Sequence, residues 1–277
     1  MPVKTGIQKK MYNKPKELTM AYELIKVEEK YDGAVTEITL GPPPANILSA
    51  KMMEEISAQL AEDEKNQHKK LIIFAGEGKH FCFGASVEEH KPEFVNDMLP
   101  GFHKFIGKVI NCKVPTLAKV SGLCLGGGFE LVLACTFIYA DESAKFAVPE
   151  IQLAVLPPVA SILLPARGCD VLGAQIVLTG EQMTAKKLFE QGLVNEVVEK
   201  EQLDNVVNVF FEKQLLPKSA SSVQIAHKGS RMFLAQQYES FIGRLEKLYL
   251  EDLMSTKDAV EGINAFLEKR EPKWLDE

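Results

Sequence analysis

The chain lacks the marks of several large protein classes. Its five cysteines (Cys82, Cys112, Cys124, Cys135, Cys169) are odd in number, irregularly spaced and contain no Cys-x-x-Cys. Neither a zinc site nor a disulfide framework is indicated, and buried free thiols in a reducing compartment are expected. The five histidines (His68, His80, His90, His103, His227) are scattered, with none at metal-ligand spacing from another, so no metal is expected. No Gly-x-Gly-x-x-Gly follows a strand-like run, which argues against a dinucleotide fold. No Gly-x-Ser-x-Gly elbow is present, so a hydrolase triad of that type is not expected. No apolar run approaches the length of a membrane span. The first twenty residues are rich in lysine (Lys4, Lys9, Lys10, Lys14, Lys16) and lack the apolar core of a signal peptide. Excess positive charge is missing too: the net charge of −6 argues against nucleic acid or an anionic membrane as the partner. A soluble, cytoplasmic protein with a loosely ordered arm over residues 1–20 is the expectation these absences leave.

What is present reads as one large α/β domain with a helical appendage. The 277 residues are 46% hydrophobic and 25% charged, which is ordinary for a globular protein. Residues 22–30 and 33–40 have the pattern of two antiparallel strands around Tyr31-Asp32-Gly33. Gly41-Pro-Pro-Pro-Ala-Asn46 cannot continue a strand. Ser49 is placed to cap a helix running to about residue 65, with Met53, Ile56 and Leu60 on its buried face. Leu71 to Ala75 reads as a buried strand, residues 100–112 as a helix, and Pro115 to Val120 as a second buried strand. This strand–helix alternation predicts βα-type units over a core of residues 21–200. Pro157-Pro158 opens an apolar helix to Leu164, and Thr184 to Gln191 and Val194 to Val198 follow as helix and strand. From 201 to 277 the pattern is helical: 201–214, 219–229, 231–254 and 258–270.

The most informative stretch is Ser121-Gly-Leu-Cys-Leu-Gly-Gly-Gly-Phe-Glu130. Three glycines between a strand and an apolar helix let the backbone turn without side chains, leaving amide N–H groups open at a helix N-terminus. Such groups stabilise an oxygen that carries negative charge. Glu130 falls one turn into that helix, where a carboxylate is costly unless paired or used. A second acid, Glu150, follows one strand later in Phe146-Ala-Val-Pro-Glu-Ile151. A Gly triplet alone is commonly a tight turn, and either glutamate alone could be an ordinary acid. Together, oxyanion-type donors and two carboxyls form a site for proton traffic beside a carbonyl.

Phe81-Cys-Phe-Gly-Ala-Ser86, Leu125-Gly-Gly-Gly-Phe-Glu130 and Phe146-Ala-Val-Pro-Glu150 resemble motifs of the crotonase family, the enoyl-CoA hydratases and isomerases. Leu178-Thr-Gly180, Gly192-Leu-Val-Asn195 and Glu261 to Arg270 support the resemblance, which spans about residues 22–274. It implies a crotonase-like spiral of ββα units, a helical C-terminal region, and a homotrimer or dimer of trimers. It implies an acyl-CoA thioester substrate and no separate cofactor, CoA being part of the substrate. By position, Ala85 and Gly127 match the oxyanion-hole amides, and Glu130 and Glu150 match the paired catalytic glutamates of hydratases. Family members that only move double bonds commonly keep one acid, so the pair favours hydration. CoA is expected along residues 83–88 (Phe83, Ala85, Ser86, Val87), with Phe266 and Lys269 reaching its nucleotide.

Two departures stand out. Ser86-Val-Glu88 replaces a common Asp-Ile-Lys, so the usual phosphate-side lysine is Glu88; Lys91 is a candidate substitute. After the second acid, Ala154 to Pro165 carries Leu156, Pro157 and Pro158 in place of a glycine-rich segment, giving the acyl pocket a stiffer, bulkier wall. That run resembles the cyclohexa-1,5-dienecarbonyl-CoA hydratases of anaerobic benzoyl-CoA degradation, and implies hydration of a cyclic dienoyl thioester. The alternatives are a short-chain enoyl-CoA hydratase, an isomerase or acyl-CoA hydrolase of the same family, and a non-catalytic CoA-binding module.

Overall fold

The structure, a computed structural model, describes residues 22–277. The arm expected over residues 1–20 lies outside them. β1 (Ile25–Lys30) and β2 (Val35–Leu40) pair antiparallel, Ile25 opposite Leu40 and Lys30 opposite Val35. Tyr31, Asp32 and Gly33 make the tight connection with positive φ at all three positions. α1 (Ala50–Asp63) follows, and the Ser49 side chain accepts from the Met52 N–H as the sequence suggests. β3 (Leu71–Gly76) leads to α2 (Val95–Asn111), then β4 (Thr116–Val120), β5 (Leu123–Leu125), α3 (Gly127–Ala134), β6 (Phe137–Asp141) and β7 (Lys145–Ala147). α4 (Pro158–Ala166), α5 (Asp170–Thr179), β8 (Met183–Thr184), α6 (Ala185–Glu190) and β9 (Glu196–Val198) complete the core. α7 (Leu203–Phe210), α8 (Ala220–Lys247) and α9 (Lys257–Leu267) form the C-terminal helical region.

The strands form two sheets. The larger runs β1-β2-β3-β4-β6-β9, parallel from β2 onward; the smaller runs β5-β7-β8. β4, β5 and α3 make one turn of a spiral, and β6, β7 and α4 make the next. In the turn before them, Cys82 stands in for a strand through a single parallel bridge to Cys124. The ββα repeat implied by the motifs is therefore present. Between the layers lies one large apolar cluster that includes Ile38, Phe74, Phe129 and Phe146. All five cysteines are buried and free.

Several sequence boundaries move. α2 begins at Val95, not residue 100, and carries Pro100 inside it. A proline reads as a helix start because it fits the first turn, but tertiary packing of Val95 and Leu99 extends the helix in front of it. The helices expected at 219–229 and 231–254 are one, α8, running into a π-helical turn at Leu248–Leu253. Gly229 and Ser230 lie inside it, since packing along α2 and α4 outweighs the roughly 1 kcal/mol cost of a helical glycine. α5 was not expected at all. Its apolar residues do not follow one face, and Val171 and Leu178 are exposed.

Candidate active site

The glycine run folds as a strand–turn–helix because each glycine meets something a side chain would strike. Gly126 caps α3 at φ 51° and ψ −130°, a conformation closed to other residues. A Cβ there would lie 2.8 Å from the Glu150 Oε1. A Cβ on Gly127 would press on the Phe102 ring at 3.2 Å and stand 3.3 Å from the Ala85 nitrogen. Gly84, at φ 96°, comes within 3.0 Å of the Gly127 nitrogen by the same construction. The loop carrying Ala85 thus lies flat against the start of α3.

That loop is anchored from behind. The buried Asn46 Nδ2 donates to the carbonyls of Glu77, His80 and Phe81 at 2.9–3.1 Å. Phe83 N–H donates to Ala45 and Leu48 N–H to Gly84. The C-terminus of α3 is held as firmly: Arg231 donates to the Ala134 carbonyl at 2.6 Å, and Arg167 to those of Leu133 and Cys135. Two guanidinium groups at this end complement the helix dipole, whose positive end faces Gly127. Among the described residues, neither the Ala85 nor the Gly127 N–H has a protein acceptor. Both residues line one small cavity of about 80 Å³. Two adjacent free amides beside a small cavity can bind an oxyanion.

Glu130 and Glu150 line the same cavity. Glu130 is 3% exposed, and its Oε1 accepts from the Ala160 N–H at 2.9 Å. Pro157, at the N-cap of α4, has no polar side-chain atom to cap that helix; the Glu130 carboxyl takes the role. Burial pushes the Glu130 carboxyl up to about 7, while the amides of Ala160 and Val159 pull the other way. Glu150 sits in the short 3-10 turn Pro149–Leu153. Its Oε2 is shut from solvent without a hydrogen-bond partner. Burial first, then the charge of Glu130, raise its carboxyl well above the usual range. Both carboxyls are raised, and their like charges favour a state in which the pair keeps one proton.

The wall residues Leu156, Pro157 and Pro158 line the cavity as the sequence suggests. A groove of about 1110 Å³ adjoins it, and Phe83, Ala85, Val87, Pro149 and Leu153 line both. Ser86, Val87, Glu88 and Phe266 border the groove. Lys269 does not; Arg270 and Trp274 stand there instead. Arg270 is engaged by Glu261 and Glu268. Lys91 lies 3.7 Å from Glu88 and outside the groove lining. Sequence reasoning missed His90, Met98, Phe102 and Tyr249, all of which line the cavity. His90 is visible only as the end of a 3-10 turn, with its Nδ1 2.9 Å from the Ser86 oxygen. No signal short of tertiary contact marks the other three. Among the described residues, no group of three His, Cys, Asp or Glu side chains could hold a metal ion, and no helix is long and apolar enough to cross a membrane.

This fold and this pair of carboxyls beside free amides define an acid–base enzyme of the crotonase fold. Residues 30–277 match the enoyl-CoA hydratase/isomerase family. The chain is 34% identical over 250 residues to the cyclohexa-1,5-dienecarbonyl-CoA hydratase of Thauera aromatica, covering 90% of this chain and 96% of that one. It is 32% identical over 254 residues to the carnitinyl-CoA dehydratase of Escherichia coli K12, covering 88% and 95%. An enoyl-CoA hydratase structure from Mycobacterium avium subsp. paratuberculosis superposes with a TM-score of 0.81 at 22% identity, over 92% of this chain and all of that one, a likeness of fold. The chain belongs to the enoyl-CoA hydratase/isomerase family, and is an enzyme of the hydro-lyase kind.

Proposed function

We propose that this enzyme adds water across the conjugated double bond of an enoyl- or dienoyl-CoA thioester, and that its preferred acyl group is the cyclohexa-1,5-diene ring. The observation that carries the reading is the grouping of two unused amides and two carboxyls of raised proton affinity around one small cavity. The thioester oxygen is received by the Ala85 and Gly127 amides, which stabilise the enolate as it forms. Glu130, ionised, takes a proton from water; Glu150, protonated, delivers one to the substrate carbon.

The cyclic substrate is supported by the pocket wall and by the named relative. Leu156, Pro157, Pro158, Met98, Phe102 and Tyr249 line a small space of about 80 Å³. Such a space suits a ring better than an extended chain. CoA enters as part of the substrate and lies in the adjoining groove, with Phe266 and Trp274 offering apolar surface to its nucleotide. Arg270 is the one cation among the described residues lining that groove, and it is already paired. Further charge for the phosphates is expected from outside it, which favours a homotrimer or dimer of trimers. Exposed Val171, Met232 and Phe233 on α5 and α8 offer apolar surface for that assembly.

A paired turnover assay with cyclohexa-1,5-dienecarbonyl-CoA and crotonyl-CoA, read by mass spectrometry for a gain of one water, tests this. Faster hydration of the diene supports the ring reading. Faster hydration of crotonyl-CoA replaces it with a general short-chain hydratase. Binding of both without water gain overturns hydration and favours an isomerase, a hydrolase or a binding module.

A further inference from the structure

Two tyrosines on the C-terminal helices are buried, and they differ in one respect. Tyr238, 3% exposed, donates its hydroxyl to the His103 carbonyl at 2.7 Å. Tyr249, 1% exposed, has a hydroxyl shut from solvent with no hydrogen-bond partner. Tyr238 is satisfied by the fold; Tyr249 is not. An unpartnered buried hydroxyl is destabilising, and such groups persist where a ligand completes them.

The surroundings of Tyr249 indicate which ligand. Its ring packs with Val95, Leu99, Val155, Ala259 and Ile263, so the aromatic body is fixed and only the hydroxyl is left for polar work. It stands in the π-helical turn Leu248–Leu253, a distortion often found at functional sites. It lines the cavity that holds Glu130 and Glu150. Glu150 Oε2 is the other unpartnered buried oxygen of that cavity lining. Burial, then the charges of Glu150 and Glu130, hold the phenol above its usual range, so it remains a neutral O–H donor. Water is the ligand that suits both kinds of orphaned atom, since it can donate to a carboxyl oxygen and accept from a phenol.

We propose that Tyr249 is a third catalytic group, whose O–H donates a hydrogen bond to the water that the two glutamates add to the double bond. The inference rests on the hydratase reading. In the forward direction the water oxygen bonds to the β-carbon, one water proton passes to Glu130, and the proton of Glu150 goes to the substrate carbon. The phenol keeps its own proton throughout. In reverse, the same O–H steadies the departing hydroxyl.

The test is Tyr249→Phe in the full chain, which keeps the ring and deletes the hydroxyl. With the better of the two enoyl thioesters above, kcat is expected to fall about 10- to 100-fold, the usual worth of a hydrogen bond to a group bearing charge. KM and the Kd for butyryl-CoA, a thioester with no double bond to hydrate, are expected to hold within about threefold. The melting temperature is expected to stay level or rise, because an unpartnered buried hydroxyl has been removed. A kcat within about twofold of the unsubstituted chain overturns the proposal while leaving hydration standing. So does a fall in kcat matched by weaker butyryl-CoA binding and a lower melting temperature, which marks a packing role. If the unsubstituted chain hydrates neither thioester, the hydratase reading fails and the proposal with it.

Discussion

The floor and the roof of the cavity are built in different ways. The floor is backbone at close approach: the Ala85 loop, the glycine turn and the first turn of α3, with Glu130 rising from it. The roof is side chains: Tyr249 from the end of α8, with α9 packed against the turn that carries Glu150. A Cβ on Gly262 of α9 would lie 2.3 Å from the Leu153 oxygen, so the roof rests directly on that turn. A backbone floor has few degrees of freedom and suits the fixed donors a developing charge needs. Away from the Tyr249 hydroxyl, side chains along the groove can vary while the chemistry beneath them stays. Changes to the floor, or to the Tyr249 hydroxyl, are therefore expected to act on kcat, and changes along the groove on KM.

The largest effect is expected from the acids. Glu130→Gln and Glu150→Gln should each lower kcat by about 10²- to 10⁴-fold, the usual worth of acid–base catalysis, with the fold retained by circular dichroism. Near-normal turnover in either would remove that residue from the mechanism. Next comes Gly127→Val, whose side chain would push on Phe102 and displace the amide beside Ala85. Loss of one oxyanion donor is worth about 10²- to 10³-fold; full activity would refute the proposed geometry.

A third test reads stability. Burial pushes the Glu130 carboxyl up to about 7 in the folded protein, against the ordinary 4.5 of a glutamate. Between those values the folded state binds more protons than the unfolded, so stability should fall as pH rises from 4.5 to about 7. Glu130→Gln keeps an acceptor for the Ala160 N–H and removes this dependence. Urea melts should find the variant more stable than the unsubstituted protein above pH 7, by up to about 3 kcal/mol, and the difference should vanish near pH 4. An equal pH slope in both proteins would contradict the assignment. The smallest effect belongs to the groove: Trp274→Ala should raise KM about threefold to tenfold and leave kcat within about twofold. A kcat loss as large as that of Gly127→Val would erase the distinction between floor and roof.

Legibility followed the same division. The glycine triplet, Glu130, Glu150, Ala85 and the Pro157-Pro158 wall were readable because each is a local departure from an otherwise regular strand or helix pattern. Lys269 illustrates the limit. It ends a helix in the expected register, but its φ of 55° turns the chain, and Arg270 and Trp274 line the groove instead. α5 was invisible because its apolar residues do not serve one buried face of this chain. Tyr249 belongs to a helix whose pattern marks it only as one more apolar position.

What the sequence determined by itself is the alternation of strands and helices, the open turn at Gly126 to Gly128 and the presence of two acids beside it. Those follow from backbone freedom and periodicity, which depend on neighbours along the chain. The tertiary structure alone decided which carboxyl accepts the α4 amide, that both carboxyls are buried in one cavity, and which tyrosine reaches that cavity without a partner. Burial, charge coupling and unmet hydrogen bonds are properties of neighbours in space, and no stretch of the chain contains them.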